Sequence, residues 1–166
     1  WFLENAWPRQ IGHNMLYLNT GTERFMEVGF LANLAATDWT WAIKLADFDN
    51  DGRVDVFTTN GSSRMSTDAD TPIMPSMLIG HTEWDLWKDE PPLLEQNFAF
   101  KNHGNLNFQD TSKAWGLDHI GMSYGAAYGD LDGDGDLDRA TANLNEHVGI
   151  YRNNEIAGHR LTVRLK

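Results

Sequence analysis

Two nine-residue segments, DFDNDGRVD at 47–55 and DLDGDGDLD at 130–138, carry aspartate at positions 1, 3, 5 and 9 and glycine at position 6. They lie 83 residues apart, and the same offset pairs residues well upstream of both without a gap. Asn14 pairs with Asn97, Tyr17 with Phe100, Asn19 with Asn102, Gly21 with Gly104, Phe25 with Phe108 and Leu34 with Leu117. Downstream, Thr58 matches Thr141 and Asn60 matches Asn143. Agreement at one fixed offset over such a span identifies two copies of one unit, and each copy must fold into the same supersecondary piece.

Each unit reads as short strands separated by turns. An aromatic-aliphatic run ending in Asn (MLYLN, FAFKN) enters a turn at Thr20-Gly21 or His103-Gly104, and a second short strand follows around Phe25 or Phe108. TWAIKLADF (40–48) and SYGAAYGDL (123–131) then run as strands straight into the aspartate loops, which exit into VDVFTTN and LDRATANLN. Little helical periodicity is present, so the expected fold class is all-β, built from repeats. The boundaries predicted are a first repeat over 1–61, an insertion over 62–96, a second repeat over 97–147 and the start of a further unit over 148–166. The insertion is punctuated by Pro72, Pro75, Pro91 and Pro92, and reads as a long ordered loop. Its Trp84-Asp85-Leu86-Trp87 segment suits either a helical turn or a strand. VGIYRNN (148–154) echoes the LYLN strand, and HRLTVRLK (159–166) alternates as a strand does.

Like charges as close as those of the two loops repel unless a cation sits among them. A chain coiled through D-x-D-x-D-G-x-x-D brings the carboxylates of positions 1, 3, 5 and 9 to one point, and the position 7 carbonyl can add an oxygen. The expected ligands are Asp47, Asp49, Asp51 and Asp55 with the Arg53 carbonyl, and Asp130, Asp132, Asp134 and Asp138 with the Asp136 carbonyl. On this reading the Asp136 carboxylate points outward. Hard oxygen donors in that number suit Ca²⁺ better than Mg²⁺, and the absence of His and Cys from both loops argues against zinc or copper. The loops differ from EF-hands, since position 12 is Thr58 or Thr141 rather than a bidentate Glu and both flanks read as strands. The bland alternative is a pair of empty Asp/Gly turns.

With LYLNTGTERF before it, ADFDNDGRVDVFTTN resembles the FG-GAP/VCBS repeat of integrin α-subunit-type β-propellers. The second copy is closer to the form found in ASPIC/UnbV-type proteins related to cartilage acidic protein, and YRNNEIAGHRLTVRL (151–165) is similar to the stretch that follows the last propeller repeat in that group. The resemblance implies a partial β-propeller of two full repeats and part of a third, with Ca²⁺ in both loops. Two departures stand out. Arg139 and Ala140 replace the usual aliphatic strand residues, and the FG-GAP dipeptides are reduced to Trp41-Ala42 and Tyr124-Gly125. A closed propeller needs at least four blades. The chain therefore reads as part of a longer protein or as a subunit whose open sheet edges are covered by partners.

The net charge of −11 argues against a nucleic-acid partner, and nine of the 24 acidic residues lie in the two loops. No apolar run of about 18 residues is present to span a membrane. Absence of cysteine removes disulfides and thiolate metal sites. The six histidines show no clustering of the metal-ligand or triad type, and Asn60-Gly61-Ser62 is a formal glycosylation sequon. The reading favoured is a non-catalytic, calcium-stabilised module for extracellular, cell-surface or periplasmic contact with a protein, matrix or glycan partner. One alternative is a structural subunit of a larger surface assembly, with neighbouring copies on the open edges. Another is a glycan-active enzyme that uses His81, Glu83 and Asp85 beside the tryptophans of the insertion.

Overall fold

A computed structural model of the chain describes residues 13–64 and 75–154. Antiparallel strands dominate it, as the turn-punctuated repeats predict. β1 (Tyr17–Asn19) and β2 (Phe25–Glu27) form a hairpin. β3 (Thr40–Ala46) and β4 (Asp55–Asn60) flank the first aspartate loop. Past the insertion come β5 (Glu95–Gln96), β6 (Phe98–Asn102), β7 (Phe108–Asp110) and β8 (Ile120–Gly121). β9 (Ser123–Gly129) and β10 (Asp138–Asn143) flank the second loop, and β11 (Gly149–Tyr151) follows. The sheets are β3-β4-β6-β7, β9-β10-β11 and the two-stranded β1-β2 and β5-β8.

Sequence repeat and sheet are out of phase. The four-stranded sheet takes β3 and β4 from the first copy and β6 and β7 from the second, because β4 pairs with β6 through Val56↔Phe100, Phe57↔Ala99 and Thr58↔Phe98. The connection between those paired strands is the whole insertion. In the same way β10 recruits β11, so the LYLN echo at 148–154 supplies the third strand of the second sheet. The β1-β2 hairpin forms a two-stranded sheet of its own.

β4 is buried along its whole length, as a central strand of β-branched and aromatic residues should be. Alternation sends its side chains to opposite faces. Val56 joins Ala32, Leu34 and Phe100 on one face, where Leu16, Phe98, Leu106 and Phe108 pack against them. Phe57 joins Phe48, Ala99 and Leu117 on the other, against Trp115, Ala126, Leu137 and Tyr151. The second cluster is therefore the seam between the two larger sheets, and Ala126 and Tyr151 reach it from β9 and β11.

The repeated Asn and hydroxyl residues form a polar ladder at the strand ends away from the loops. Thr40 Oγ1 donates to Asn60 Oδ1 (2.6 Å), and its counterpart Ser123 Oγ donates to Asn143 Oδ1 (2.8 Å). Asn97 ties the two together, accepting from Asn60 N (3.0 Å) and donating to Ser123 Oγ (2.9 Å). Asn60 is fully buried and also donates to Gln96 O, which removes the sequon from the surface of the folded chain. Gly61 is required next to it: its φ is +107°, and a Cβ there would lie 2.2 Å from Gly121 O.

Within the insertion, Pro75–Leu78 makes a 3₁₀ turn and α1 spans Glu83–Trp87. The Trp84-Asp85-Leu86-Trp87 segment is thus helical. A capping box starts it: Asp85 N donates to Thr82 Oγ1, and Thr82 N donates back to Asp85 Oδ2 (2.9 Å). Arg64 pins the helix to the sheet, its Nη1 donating to Lys88 O (2.8 Å) and its Cζ lying 4.7 Å from the Trp84 ring centroid. Among the described residues no helix is long and apolar enough to cross a membrane. Residues 155–166, which carry most of the alternating strand pattern at the end of the chain, lie outside the described residues.

Candidate metal centres

Both loops fold by the same local rules. Position 1 accepts backbone N–H bonds from the loop it opens: Asp47 from Asp51 N (3.0 Å) and Gly52 N (2.8 Å), Asp130 from Gly133 N (2.7 Å) and Gly135 N (3.0 Å). Position 9 is the buried anchor. Asp55 accepts from Phe48 N and Asn102 N (2.9 Å each), and Asp138 accepts from Leu131 N (2.9 Å) and Asn153 N (2.8 Å). One donor is the loop's own second residue. The other is the backbone N–H of an Asn at or just past the end of the neighbouring strand, Asn102 or Asn153, whose side-chain amide donates in turn to a backbone carbonyl, Val54 O or Phe48 O. Position 4 sits in the left-handed region in both loops, as Asn50 (φ 57°) and Gly133 (φ 81°).

Carboxylate oxygens of Asp47, Asp49 and Asp55 lie within 4.8 Å of one another, and so do those of Asp130, Asp132 and Asp138. Oxygens at that spacing leave a point within roughly 2.8 Å of all three, close to the 2.3–2.6 Å of a Ca²⁺–oxygen bond. In the first loop Asp49 Oδ1 is buried and has no hydrogen-bond partner. An orphaned carboxylate oxygen inside an all-oxygen triad is the donor that a hard cation requires. The residues present fit Ca²⁺.

The position 5 carboxylates, expected in the same cluster, lie outside these triads. Asp51 accepts from Arg53 N (3.0 Å) and pairs with Arg53 Nη2 (2.9 Å) and Lys101 Nζ (3.2 Å). Asp134 pairs with Arg152 Nη2 (3.3 Å) and accepts from Asp136 N (2.9 Å). Lys101 also pairs with Asp49, and Arg152 Nε lies 2.7 Å from Asp132 Oδ2. The two basic residues stand at one structural position, immediately before the Asn that caps position 9, so each loop receives a cation from the neighbouring strand. Sequence reasoning missed this pair, although a basic residue before that Asn in the second and third copies was a readable signal. Arg53 keeps its guanidinium in use as well, through Nε to Asn102 O (2.9 Å).

Asp136 departs from expectation. Rather than projecting outward, it is 2% exposed and its Oδ1 accepts from Asn50 Nδ2 (2.7 Å) in the other loop. Neighbouring strands bring the loops together, and the amide bond from Asn50 offsets part of the cost of burying the Asp136 carboxylate. Asn153 adds a second link, with its backbone N–H on Asp138 and its side-chain amide on Phe48 O (2.8 Å).

Arg139, the unusual residue of the second copy, is 5% exposed at the seam. Its Cζ lies 4.0 Å from the Phe48 ring centroid and 5.5 Å from that of Trp115. Burial pushes its guanidinium down to about 10, against the opposing pull of Asp55 and Asp138, so it is cationic at neutral pH. Burial raises the Asp55 carboxyl despite its two N–H bonds, and the charges of Asp49 and Asp51 add to the shift. Asp51 goes the other way: burial works upward, but its bonds from Lys101 and Arg53 N hold it below the usual value. The hydrogen bonds to Asp49 and Asp51 raise Lys101.

No curated protein matches the chain. Residues 6–58, which include the first hairpin, β3, the first aspartate loop and the start of β4, match the family model of the FG-GAP-like repeat.

Proposed function

We propose that this chain is a non-catalytic β-propeller-type module for contact with a protein, matrix or glycan partner outside the cell or at its surface, with one structural Ca²⁺ in each aspartate loop. The observation that carries the reading is the buried, unpartnered Asp49 Oδ1 within the Asp47, Asp49 and Asp55 triad, repeated in geometry by Asp130, Asp132 and Asp138. A cation there would offset the charges that the coil concentrates and fix the turn between two sheet strands. Because the unfolded chain does not preform the site, its binding energy adds to folding stability. The resemblance to integrin-type and ASPIC/UnbV-type proteins supports an interaction role and an extracellular or periplasmic setting. Thermal melts in EDTA, Ca²⁺ and Mg²⁺ test the reading. A large drop in melting temperature in EDTA, restored by Ca²⁺ and poorly by Mg²⁺, is expected, and an unchanged melt in chelator would sink it.

A structural subunit of a larger surface assembly is a second reading, favoured by the half-exposed apolar face of β3, where Trp41, Ile43 and Leu45 are each about half exposed. Turnover of glycans has less support. Asp85, which such a site would need, is engaged in the cap of α1 and in an ion pair with Lys88.

A further inference from the structure

We propose that the small cavity at the seam of the two larger sheets, with Arg139 in its wall, is a binding site for a carboxylate group. The first copy has Val56 at the position equivalent to Arg139, so the strand does not need a cation there. Yet Arg139 is 95% buried in its place, and its Nε has no acceptor among the described residues. An unpaired guanidinium N–H held out of water is unfavourable unless an acceptor arrives. Arg139 borders a cavity of about 200 Å³ whose other walls include Phe48, Trp115, Tyr151, Arg152 and Asn153. The Phe48 and Trp115 rings hold the guanidinium at 4.0 and 5.5 Å from Cζ to centroid and offer no oxygen to its Nε–H.

The surroundings select among anions. Asp49 borders the same cavity and opposes any anion, a phosphate or sulfate dianion about twice as strongly as a singly charged carboxylate. A carboxylate carries one charge and oxygen acceptors of the kind that the Arg139 Nε–H lacks. The volume admits a carboxylate on a short stem, either a free small acid or the side chain of an acidic residue from a partner. This site does not rest on the calcium reading, since Arg139 is not a ligand of either loop.

Nuclear magnetic resonance of the ¹⁵N-labelled chain tests it, following the Arg139 Nε–H and Trp115 indole N–H signals. Sodium acetate is titrated against sodium chloride at equal ionic strength, once in EDTA and once in Ca²⁺. A saturable shift with acetate and none with chloride is expected, with a Kd on the order of millimolar for one bidentate pair. If N-acetyl-glutamate N-methylamide shifts the same signals, the pocket accepts an acidic side chain; if acetate alone does, the ligand is a free small acid. Arg139→Met should abolish the Trp115 shift while the melt shows the chain folded. Should that variant not fold, Arg139→Lys, which keeps the charge and loses the fork, should weaken acetate at least about tenfold. The proposal is overturned if chloride reproduces the shift, if acetate gives no saturation, or if the substitutions leave binding unchanged.

Discussion

Asn50 of the first aspartate loop donates its side-chain amide to the carboxylate of Asp136 in the second, at 2.7 Å across 86 residues of sequence. The bond joins two loops that belong to different sheets, and Asp136 is buried where it is made. Asn50→Gly should remove the link at little backbone cost, since Gly133 fills the same left-handed position in the other loop. The expected loss is about 1 kcal/mol, read from denaturant unfolding. Asn50→Ala should lose roughly 1 kcal/mol more, because an L side chain resists that conformation. In a double-mutant cycle with Asp136→Ala a coupling of roughly 0.5–3 kcal/mol is expected. A coupling of zero would show that the loops stand independently.

Position 9 should matter to folding before any cation is added. Asp55 is fully buried and accepts one N–H on each oxygen, from Phe48 and Asn102. Asp55→Asn replaces one acceptor with a donor facing a donor, and should cost about 1–3 kcal/mol even in EDTA. Asp51→Asn, with its side chain at 19% exposure and paired to long basic side chains, should cost about 1 kcal/mol or less in the same buffer. Equal losses in chelator would mean that the buried anchor has been assigned to the wrong residue.

The cap of α1 gives a pH-dependent signature. Hydrogen bonds from Thr82 N and Thr82 Oγ1 hold the Asp85 carboxyl down at about 2. A depressed folded-state pKa stabilises the helix above the unfolded value near 3.8, and that contribution is lost as pH falls from 3.8 toward 2. Titration of the Asp85 side chain by nuclear magnetic resonance should therefore show a midpoint near 2. Thr82→Val removes the hydroxyl and should move the midpoint upward. A midpoint near 3.8 in the parent chain would mean that the capping box does not persist in solution.

The two aspartate loops, the strands around them and the all-β class were legible in the sequence because each depends on residues close together in the chain. The phase of the sheets was not. Pairing β4 with β6 across the insertion is a non-local choice, fixed by the burial of Val56 and Phe57 on opposite faces rather than by any local motif. The inward turn of the Asp136 carboxylate is unreadable for the same reason: a partner that it meets there, Asn50, lies 86 residues away. Arg139 was recognised as odd, but a strand pattern cannot show that Phe48 and Trp115 would meet around it. Position 5 carries a related lesson. Spacing alone groups Asp51 with its loop, whereas Lys101 from the neighbouring strand competes for the same carboxylate.

The open face of β3 leads to a prediction about association. On β9, Tyr124 meets the Trp41 ring at 4.7 Å, Ala126 packs on the cluster of Phe48 and Phe57, and Tyr128 meets Phe48 edge-on at 5.7 Å. Their counterparts at the repeat offset are Trp41, Ile43 and Leu45, with Ile43 and Leu45 each 51% exposed. At the other end Leu131, the counterpart of Phe48, is 62% exposed. The two ends therefore present unlike apolar surfaces that match the two sides of the internal seam, a head-to-tail arrangement that closes into a ring or runs on as a filament according to the rotation per subunit. Light scattering of this 166-residue chain over a range of concentrations should show growth beyond the monomer. Ile43→Lys places a charge on the exposed face of β3 and should suppress that growth without lowering the melting temperature. A single monomeric species at every concentration would show that the exposed face does not drive assembly.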